Sequence, residues 1–163
     1  MRKCLLVMVI LWVAVISWFS NQPLKESTDQ TYAFLVKLNL AEQRDLVLSS
    51  TEEIRSLKHL TRKAAHFGLY YGLGGLIGLV VYGLFRIKGR MWSVITWGLG
   101  SAWGVIDEIH QYFVPGRSMQ FADMVIDSSG VLLAVVTLGL ALGLYERMKS
   151  WKAEERRVLE ELY

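Results

Sequence analysis

The chain has 163 residues, of which 53% are hydrophobic, and its mean hydropathy is +0.32. Because the apolar residues come in blocks, this composition indicates an integral membrane protein rather than a soluble domain. The net charge of +3 is too small to indicate nucleic-acid binding, and a single cysteine, Cys4, excludes an internal disulfide and a thiolate metal site.

Four apolar stretches reach the length of about 17–25 residues that a membrane-spanning helix needs. The predicted fold is therefore an all-α polytopic membrane protein with four transmembrane helices. The first stretch follows Arg2 and Lys3 and is predicted to be a retained signal anchor, because "WFSNQ" lacks the small residue of a cleavage site. The four stretches cover residues 4–20, 64–85, 91–110 and 122–145.

Basic residues in the short loops predict the orientation of these spans. Two precede the first span, three lie between the second and third, and five follow the fourth, whereas the loop between the third and fourth has only Arg117. Since Lys and Arg concentrate on the cytoplasmic side, both termini are expected there. Loops 21–63 and 111–121 are then expected on the outside.

The long first outer loop ends in a helical pattern. Ser50 and Glu53 have the spacing of a capping box, and apolar residues recur at helical intervals from Ile54 to Ala64. We expect an amphipathic outer-surface helix that runs or bends into the second span. The predicted organisation is an anchor (1–20), an extracytoplasmic linker (21–49), a membrane domain (50–145) and a charged cytoplasmic tail (146–163).

Small residues and tryptophans predict how the spans pack. Glycines four residues apart allow helices to approach closely in a membrane, and tryptophans near span ends are typical interfacial anchors. The glycine pairs are Gly68 and Gly72, Gly74 and Gly78, and Gly100 and Gly104; the expected anchors are Trp18, Trp92 and Trp103.

Ionisable residues concentrate at the predicted outer ends of three spans. Lys63, His66 and Tyr70 share one face of the second span at i, i+3 and i+7. Asp107 lies about 24 Å along the third span from Met91, near the outer end of a hydrocarbon core about 30 Å thick. Glu108 and Gln111 follow there, Asp123 and Asp127 begin the fourth span, and Pro115 and Gly116 form a turn that can direct Arg117 back over them.

Charges inside a membrane are costly, by about 2.5–3.5 kcal/mol each on insertion scales, so these groups are expected to face one another around a wet cavity. A structural network of ion pairs is the alternative interpretation. The candidate pocket residues are Lys63, His66, Tyr70, Asp107, Glu108, Gln111, Arg117, Asp123 and Asp127.

The same positions resemble the VanZ-like family over roughly residues 50–145. The pattern comprises Lys-x-x-His-Phe-x-x-Tyr, Asp-Glu-x-x-Gln, Pro-Gly-Arg, and an Asp four residues before an Asp that precedes a Gly. The resemblance implies a multi-pass bacterial membrane protein of the cell envelope, in a family associated with low-level teicoplanin resistance but with no settled activity. The matching residues are Lys63, His66, Phe67, Tyr70, Asp107, Glu108, Gln111, Pro115, Gly116, Arg117, Asp123, Asp127 and Gly130.

Three functions are compatible with this pattern. The first is binding of an anionic or sugar-bearing lipid or lipid-linked cell-wall precursor, with Arg117 and Lys63 contacting phosphate or carboxylate. The second is a membrane enzyme that hydrolyses or transfers a phosphate or glycosyl group, using His66 and carboxylates as acid and base. A divalent cation, Mg²⁺ or Mn²⁺, is a candidate cofactor there, with Asp107, Glu108, Asp123 and Asp127 as candidate ligands. The third is a proton or ion path, which ranks last because the ionisable residues lie only at the outer end.

Overall fold

Five helices and no strand form the part of the chain that the computed structural model describes, residues 2–38 and 52–162. The prediction of an all-α fold is confirmed. In chain order the helices are α1 (Arg2–Ser20), α2 (Leu24–Lys37), α3 (Glu52–Gly83), α4 (Gly89–Gln111) and α5 (Phe121–Leu162).

Three of the described helices are long and apolar enough to cross a membrane, through Lys3–Ser20, Arg55–Gly83 and Phe121–Glu161. The prediction of four such helices is wrong for α4. That helix has 23 residues, which is sufficient length, but its composition falls short. Tryptophan, glycine and serine replace the leucine and valine of the other spans, and two acidic residues close its end.

Helix α3 is central, because α1, α2, α4 and α5 all pack against it. One core cluster joins Ile16 of α1, Tyr70 and Leu73 of α3, and Val131 of α5. A second cluster lies further along the bundle, where Trp92 of α4 packs against apolar residues of α3 and α5. The two clusters fix the positions of α3, α4 and α5 along one another. As a result, the polar residues of the three helices lie at the same end of the bundle.

Glycines allow the closest helix approaches. A Cβ atom at Gly130 of α5 would lie 2.5 Å from the carbonyl oxygen of Phe67, so the α5 backbone touches the α3 backbone there. A Cβ at Gly74 of α3 would lie 3.0 Å from the Cα of Val131. Gly68 is different, because nothing lies within 4 Å of the position that a Cβ would take, and its predicted role in packing finds no contact among the described residues.

Trp92 is not an interfacial anchor, contrary to the prediction. Its side chain is only 4% exposed, and its indole Nε1 donates a hydrogen bond of 2.8 Å to the carbonyl oxygen of Gly78. A buried indole N–H needs an acceptor, and the closely packed α3 backbone supplies it. Trp18, by contrast, is 55% exposed, as an interfacial anchor would be.

The segment before the second span forms a continuous helix with it, as predicted, since α3 extends unbroken over 32 residues. The capping box expected at Ser50 and Glu53 lies outside the described residues and side chains. Helix α2 occupies part of the predicted linker, and its buried residues Tyr32 and Leu35, three positions apart, form the face that packs inward.

Candidate functional site at one end of the bundle

The polar residues meet where α1 and α4 end and α5 begins, around the first half of α3. Lys63, His66 and Arg117 are partly buried in this cluster. The other six residues predicted for the pocket are buried, namely Tyr70, Asp107, Glu108, Gln111, Asp123 and Asp127.

Asp123 is paired with two cations of α3. Lys63 Nζ donates to Asp123 Oδ1 at 2.7 Å, and Arg62 lies 3.6 Å from Asp123 Oδ2. The pairing links the beginning of α5 to α3. The ammonium of Lys63 is thereby engaged by a buried carboxylate, while Arg62 also lines the neighbouring cavity.

Asp107 is held by neutral donors instead. Ser20 Oγ, at the end of α1, donates to Asp107 Oδ2 at 2.7 Å, and Gln111 Nε2 donates to the same oxygen at 3.1 Å. The amide oxygen of Gln111 accepts a bond of 2.8 Å from Arg117 Nη1. A chain of hydrogen bonds therefore runs from α1 through Asp107 and Gln111 to the loop between α4 and α5.

Arg117 carries a charge without a carboxylate partner among residues 2–38 and 52–162. Its Nη2 reaches the carbonyl oxygen of Phe19 at 3.4 Å, and its buried Nε has no hydrogen-bond partner in the described chain. Burial lowers the pKa of Arg117, and the positive charge of Arg62 lowers it further. Because an arginine remains protonated nonetheless, both guanidinium groups bring positive charge to the part of the cavity that Asp107 also lines.

His66, Glu108 and Asp127 form a third group. His66 Nδ1 lies 3.3 Å from Asp127 Oδ1, and the backbone N–H of Gln120 donates to Glu108 Oε2 at 2.9 Å. One potential metal-ligating atom from each of the three side chains lies within 4.8 Å of the others. Within the described chain, Glu108 Oε1 and Asp127 Oδ2 are buried without a hydrogen-bond partner, as is the nearby Tyr70 hydroxyl.

Gly104 of α4 leaves room beside this group. A Cβ at that position would lie 3.6 Å from Asp127 Oδ2 and 3.4 Å from Cε1 of Tyr70. The glycine therefore lets α4 approach the carboxylate of α5 and the ring of α3 at the same depth.

A cavity of about 620 Å³ opens beside the cluster between α1, α2 and α3. Its sides are largely apolar, with hydroxyl and amide groups contributed by α2, and charged groups of the cluster complete its lining. The apolar lining includes Trp12, Ile16, Phe19, Phe34 and Leu69, and the polar lining includes Ser27, Gln30, Thr31, Arg62, His66, Tyr70, Asp107 and Arg117.

A family model described as VanZ/LLP1 matches residues 5–142, which is most of the chain. The chain belongs to the VanZ/LLP1 family. The resemblance seen in the polar motifs is thus confirmed, and the match also covers α1 and α2. Neither the curated proteins nor the solved structures with which the chain was compared include a match.

Several functional candidates in this VanZ/LLP1 protein have no distinctive signal in the sequence. Ser20 ends an apolar span, where a serine is unremarkable. Gln120 contributes through its backbone, which no side-chain motif reveals. The α2 residues belong to a segment that is polar in its first part, apolar near its end and without a motif, although the three-residue spacing of Tyr32 and Leu35 is compatible with a helix face.

Proposed function

We propose that this VanZ/LLP1 protein is a multi-pass envelope membrane protein that binds the anionic or sugar-bearing headgroup of a lipid or lipid-linked cell-wall precursor. The observation that carries the proposal is one cavity that combines apolar walls with two arginines, a histidine and an aspartate. An amphiphile has the same division, with an apolar chain beside a polar headgroup. The volume of about 620 Å³ is in the usual range of 300–1,000 Å³ for ligand pockets.

The charges favour an anionic group. Arg62 and Arg117 both line the cavity, and Arg117 has no carboxylate partner among the described residues. A phosphate or carboxylate between the two guanidinium groups would accept charge-assisted hydrogen bonds and relieve their mutual repulsion. Lys63, which the sequence also suggested for this role, is engaged by Asp123 and contributes less.

The remaining polar groups suit a sugar or glycerol. Asp107 and His66 line the same end of the cavity and offer acceptors for hydroxyl groups, while Ser27 and Gln30 of α2 offer donors and acceptors on the facing wall. A headgroup that combines phosphate with hydroxyls would use both sets.

The proposed site faces the outer leaflet. The loop between α3 and α4 and the first turn of α4, at the opposite end of the bundle, carry Arg86, Lys88 and Arg90, and basic loops remain cytoplasmic. Helix α4 runs from this basic end back to the polar cluster, packed against α3 and α5, so that both termini are cytoplasmic in this arrangement. Sequestering an outer-leaflet precursor or altering envelope lipids would account for low-level resistance to a glycopeptide of the teicoplanin type.

The test is the mass spectrum of lipids that co-purify with the protein. An Arg117→Gln variant should retain at least tenfold less of the anionic lipid bound by the wild type, since hydrogen bonds to charged groups contribute about 1.5–3 kcal/mol. Arg90→Gln, a change at an exposed arginine of the opposite end, should retain the lipid. Identical lipid profiles for wild type and Arg117→Gln would refute the proposal.

Chemistry on the bound headgroup is a second candidate function, favoured by the pairing of His66 with Asp127 on the cavity side of the cluster. An imidazole oriented by a carboxylate is a common general base. Incubation of the purified protein with phospholipid or polyprenyl diphosphate should then release a headgroup or phosphate, and His66→Asn should abolish the release. Absence of any product from the wild type would exclude this reaction with those substrates.

A further inference from the structure

Two buried carboxylates of the cluster lack a full complement of partners. Glu108 and Asp127 are both 0% exposed, yet each has one oxygen without a hydrogen-bond partner in the described chain. Asp123 is paired with Lys63 and Arg62, whereas His66 is the only cation-forming side chain in ion-pair contact with Asp127 among residues 2–38 and 52–162. Two buried carboxylates that each keep an unpartnered oxygen beside a single histidine are strongly unfavourable unless further positive charge joins them.

From this geometry we infer that His66, Glu108 and Asp127 bind a divalent transition-metal ion. The three side chains come from α3, α4 and α5, and their ligating atoms lie within 4.8 Å of one another. Ligands around one ion at about 2.0–2.2 Å lie roughly 3–4 Å apart, so a contraction of at most about 1–2 Å brings the three into coordination. The inference goes beyond the proposed lipid binding and does not depend on it.

The ligand set differs from the four carboxylates that the sequence suggested. Asp123 is engaged by two cations, and Asp107 Oδ2 by Ser20 and Gln111, so neither has the open coordination of Glu108 and Asp127. His66 joins the site in their place. Imidazole favours zinc and its transition-metal neighbours over Mg²⁺ and Ca²⁺, so we expect Zn²⁺ to bind more tightly than Mn²⁺, and Mn²⁺ more tightly than Mg²⁺.

Groups next to the three candidate ligands position them for metal binding. The backbone N–H of Gln120 holds Glu108 Oε2, which leaves Oε1 available. Asp127 Oδ2 is likewise available beside the space kept by Gly104, and the unpartnered Tyr70 hydroxyl can bond to a ligand oxygen or to metal-bound water. The alternative without a metal is a proton shared by the two carboxyl groups, and the experiment below distinguishes the two.

The experiment measures metal bound to the full-length protein purified in detergent without chelator. Elemental analysis by mass spectrometry should find about one transition-metal ion per chain, and Co²⁺ added to chelator-stripped protein should give the visible absorption bands of a low-symmetry site. Zn²⁺ should displace Co²⁺, whereas Mg²⁺ at the same concentration should not. A wild type that neither retains a metal nor binds added Zn²⁺ or Co²⁺ overturns the inference and favours the shared proton.

Variants locate the site. Asp127→Asn and Glu108→Gln, which preserve shape and remove charge, should weaken Co²⁺ binding by more than about tenfold. Asp123→Asn is the matched control outside the ligand set and should keep the wild-type stoichiometry. Equal loss in the control, or undiminished binding in both ligand variants, also overturns the inference. Because the wild-type measurement requires no variant, a misfolded variant does not leave the site untested.

The same preparation separates this inference from the lipid proposal. A metal-free wild type that still retains anionic lipid through Arg117 would refute only the metal site. A metal-loaded wild type whose lipid content is insensitive to Arg117→Gln would refute only the lipid site.

Discussion

Asp123 has the most complete pairing of the four buried carboxylates, because both Lys63 and Arg62 lie within ion-pair distance. Asp107 is satisfied by a hydroxyl and an amide, so it can keep a cavity-facing role without a dedicated cation. Glu108 and Asp127 each have one oxygen without a hydrogen-bond partner in the described chain. The four carboxylates thus have three different roles. Asp123 forms ion pairs, Asp107 is an acceptor that lines the cavity, and Glu108 and Asp127 are candidate metal ligands.

The structural role of the first pair can be measured. Lys63→Met leaves the buried Asp123 without its closer cation and should destabilise the protein by about 1–3 kcal/mol, because Arg62 is more distant and only partly compensates. The measurement is unfolding in mixed micelles with increasing denaturing detergent. Adding Asp123→Asn to Lys63→Met should recover part of the loss, since the buried charge is removed with its partner. Equal stability of Lys63→Met and wild type would show that the pair does not stabilise the fold.

At the scale of elements, α3 combines two functions along its length. Its first half carries Arg62, Lys63 and His66 toward α5 and the cavity, and its second half packs through Leu73 and Val81 against the other helices. The contact between Gly130 and the Phe67 backbone lies near the junction of the two halves. This contact therefore sets how closely α5 brings Asp127 to His66.

Gly130→Ala tests the close approach. A Cβ at 2.5 Å from the Phe67 carbonyl oxygen cannot be accommodated by a side-chain movement, so α5 must shift away from α3. We expect a loss of about 1–3 kcal/mol in unfolding free energy together with weaker metal and lipid retention. Gly143→Ala on the same helix has open space around its Cβ and should change stability by no more than about 1 kcal/mol. Similar stability of the two variants would contradict the described α3–α5 packing.

At the scale of the whole molecule, the two ends of the bundle differ in their chemistry. One end holds the polar cluster and the cavity, and the other holds Lys88 and Tyr82 in contact with Glu146 near the basic loop between α3 and α4. Loop charge predicts that the second end is cytoplasmic. In this proposed orientation the ligand approaches from the outer leaflet or from the extracytoplasmic side.

Cysteine labelling tests this orientation. In a Cys4→Ser background, a cysteine at exposed Met119 should react with a membrane-impermeant maleimide on intact cells, whereas a cysteine at exposed Ser150 should react only after permeabilisation. The reverse pattern would place the polar cluster on the cytoplasmic side and would rule out an outer-leaflet ligand.

Helical periodicity and motif spacing are sufficient to predict the all-α fold and the polar residues that converge, because residues on one helix face are fixed by the chain itself. The spacing of Lys63, His66 and Tyr70 is an example. Which groups pair across helices depends on rotation and depth, which a single sequence does not determine. The motif therefore suggested Lys63 as a ligand-binding cation. In the structure the ammonium of Lys63 is paired with Asp123, and Arg62 lines the cavity instead.

Hydropathy predicted three of the helices that can span a membrane correctly and was wrong for α4. The leucine- and valine-rich α1, α3 and α5 met both length and composition, whereas α4 combines helix length with tryptophan and glycine suited to packing against protein. The prediction that Trp92 is an interfacial anchor was wrong because a tryptophan near a span end can also be buried against other helices. Helix α2 was not predicted at all, since its short polar sequence gains its stability from contact with α3.

Photolabelling with an anionic phospholipid tests the central claim most directly. The protein is reconstituted with a phosphatidylglycerol that carries a photoactivatable group on its acyl chain, and the labelled residues are identified by mass spectrometry. Labelling is expected on the cavity walls at Trp12, Phe34 and Leu69, and it should fall about tenfold with Arg62→Gln combined with Arg117→Gln but not with Arg90→Gln. A matching phosphatidylcholine probe should label the cavity less. Labelling confined to the outward faces, at residues such as Ile10 and Leu140, and unchanged in the double variant would contradict the account.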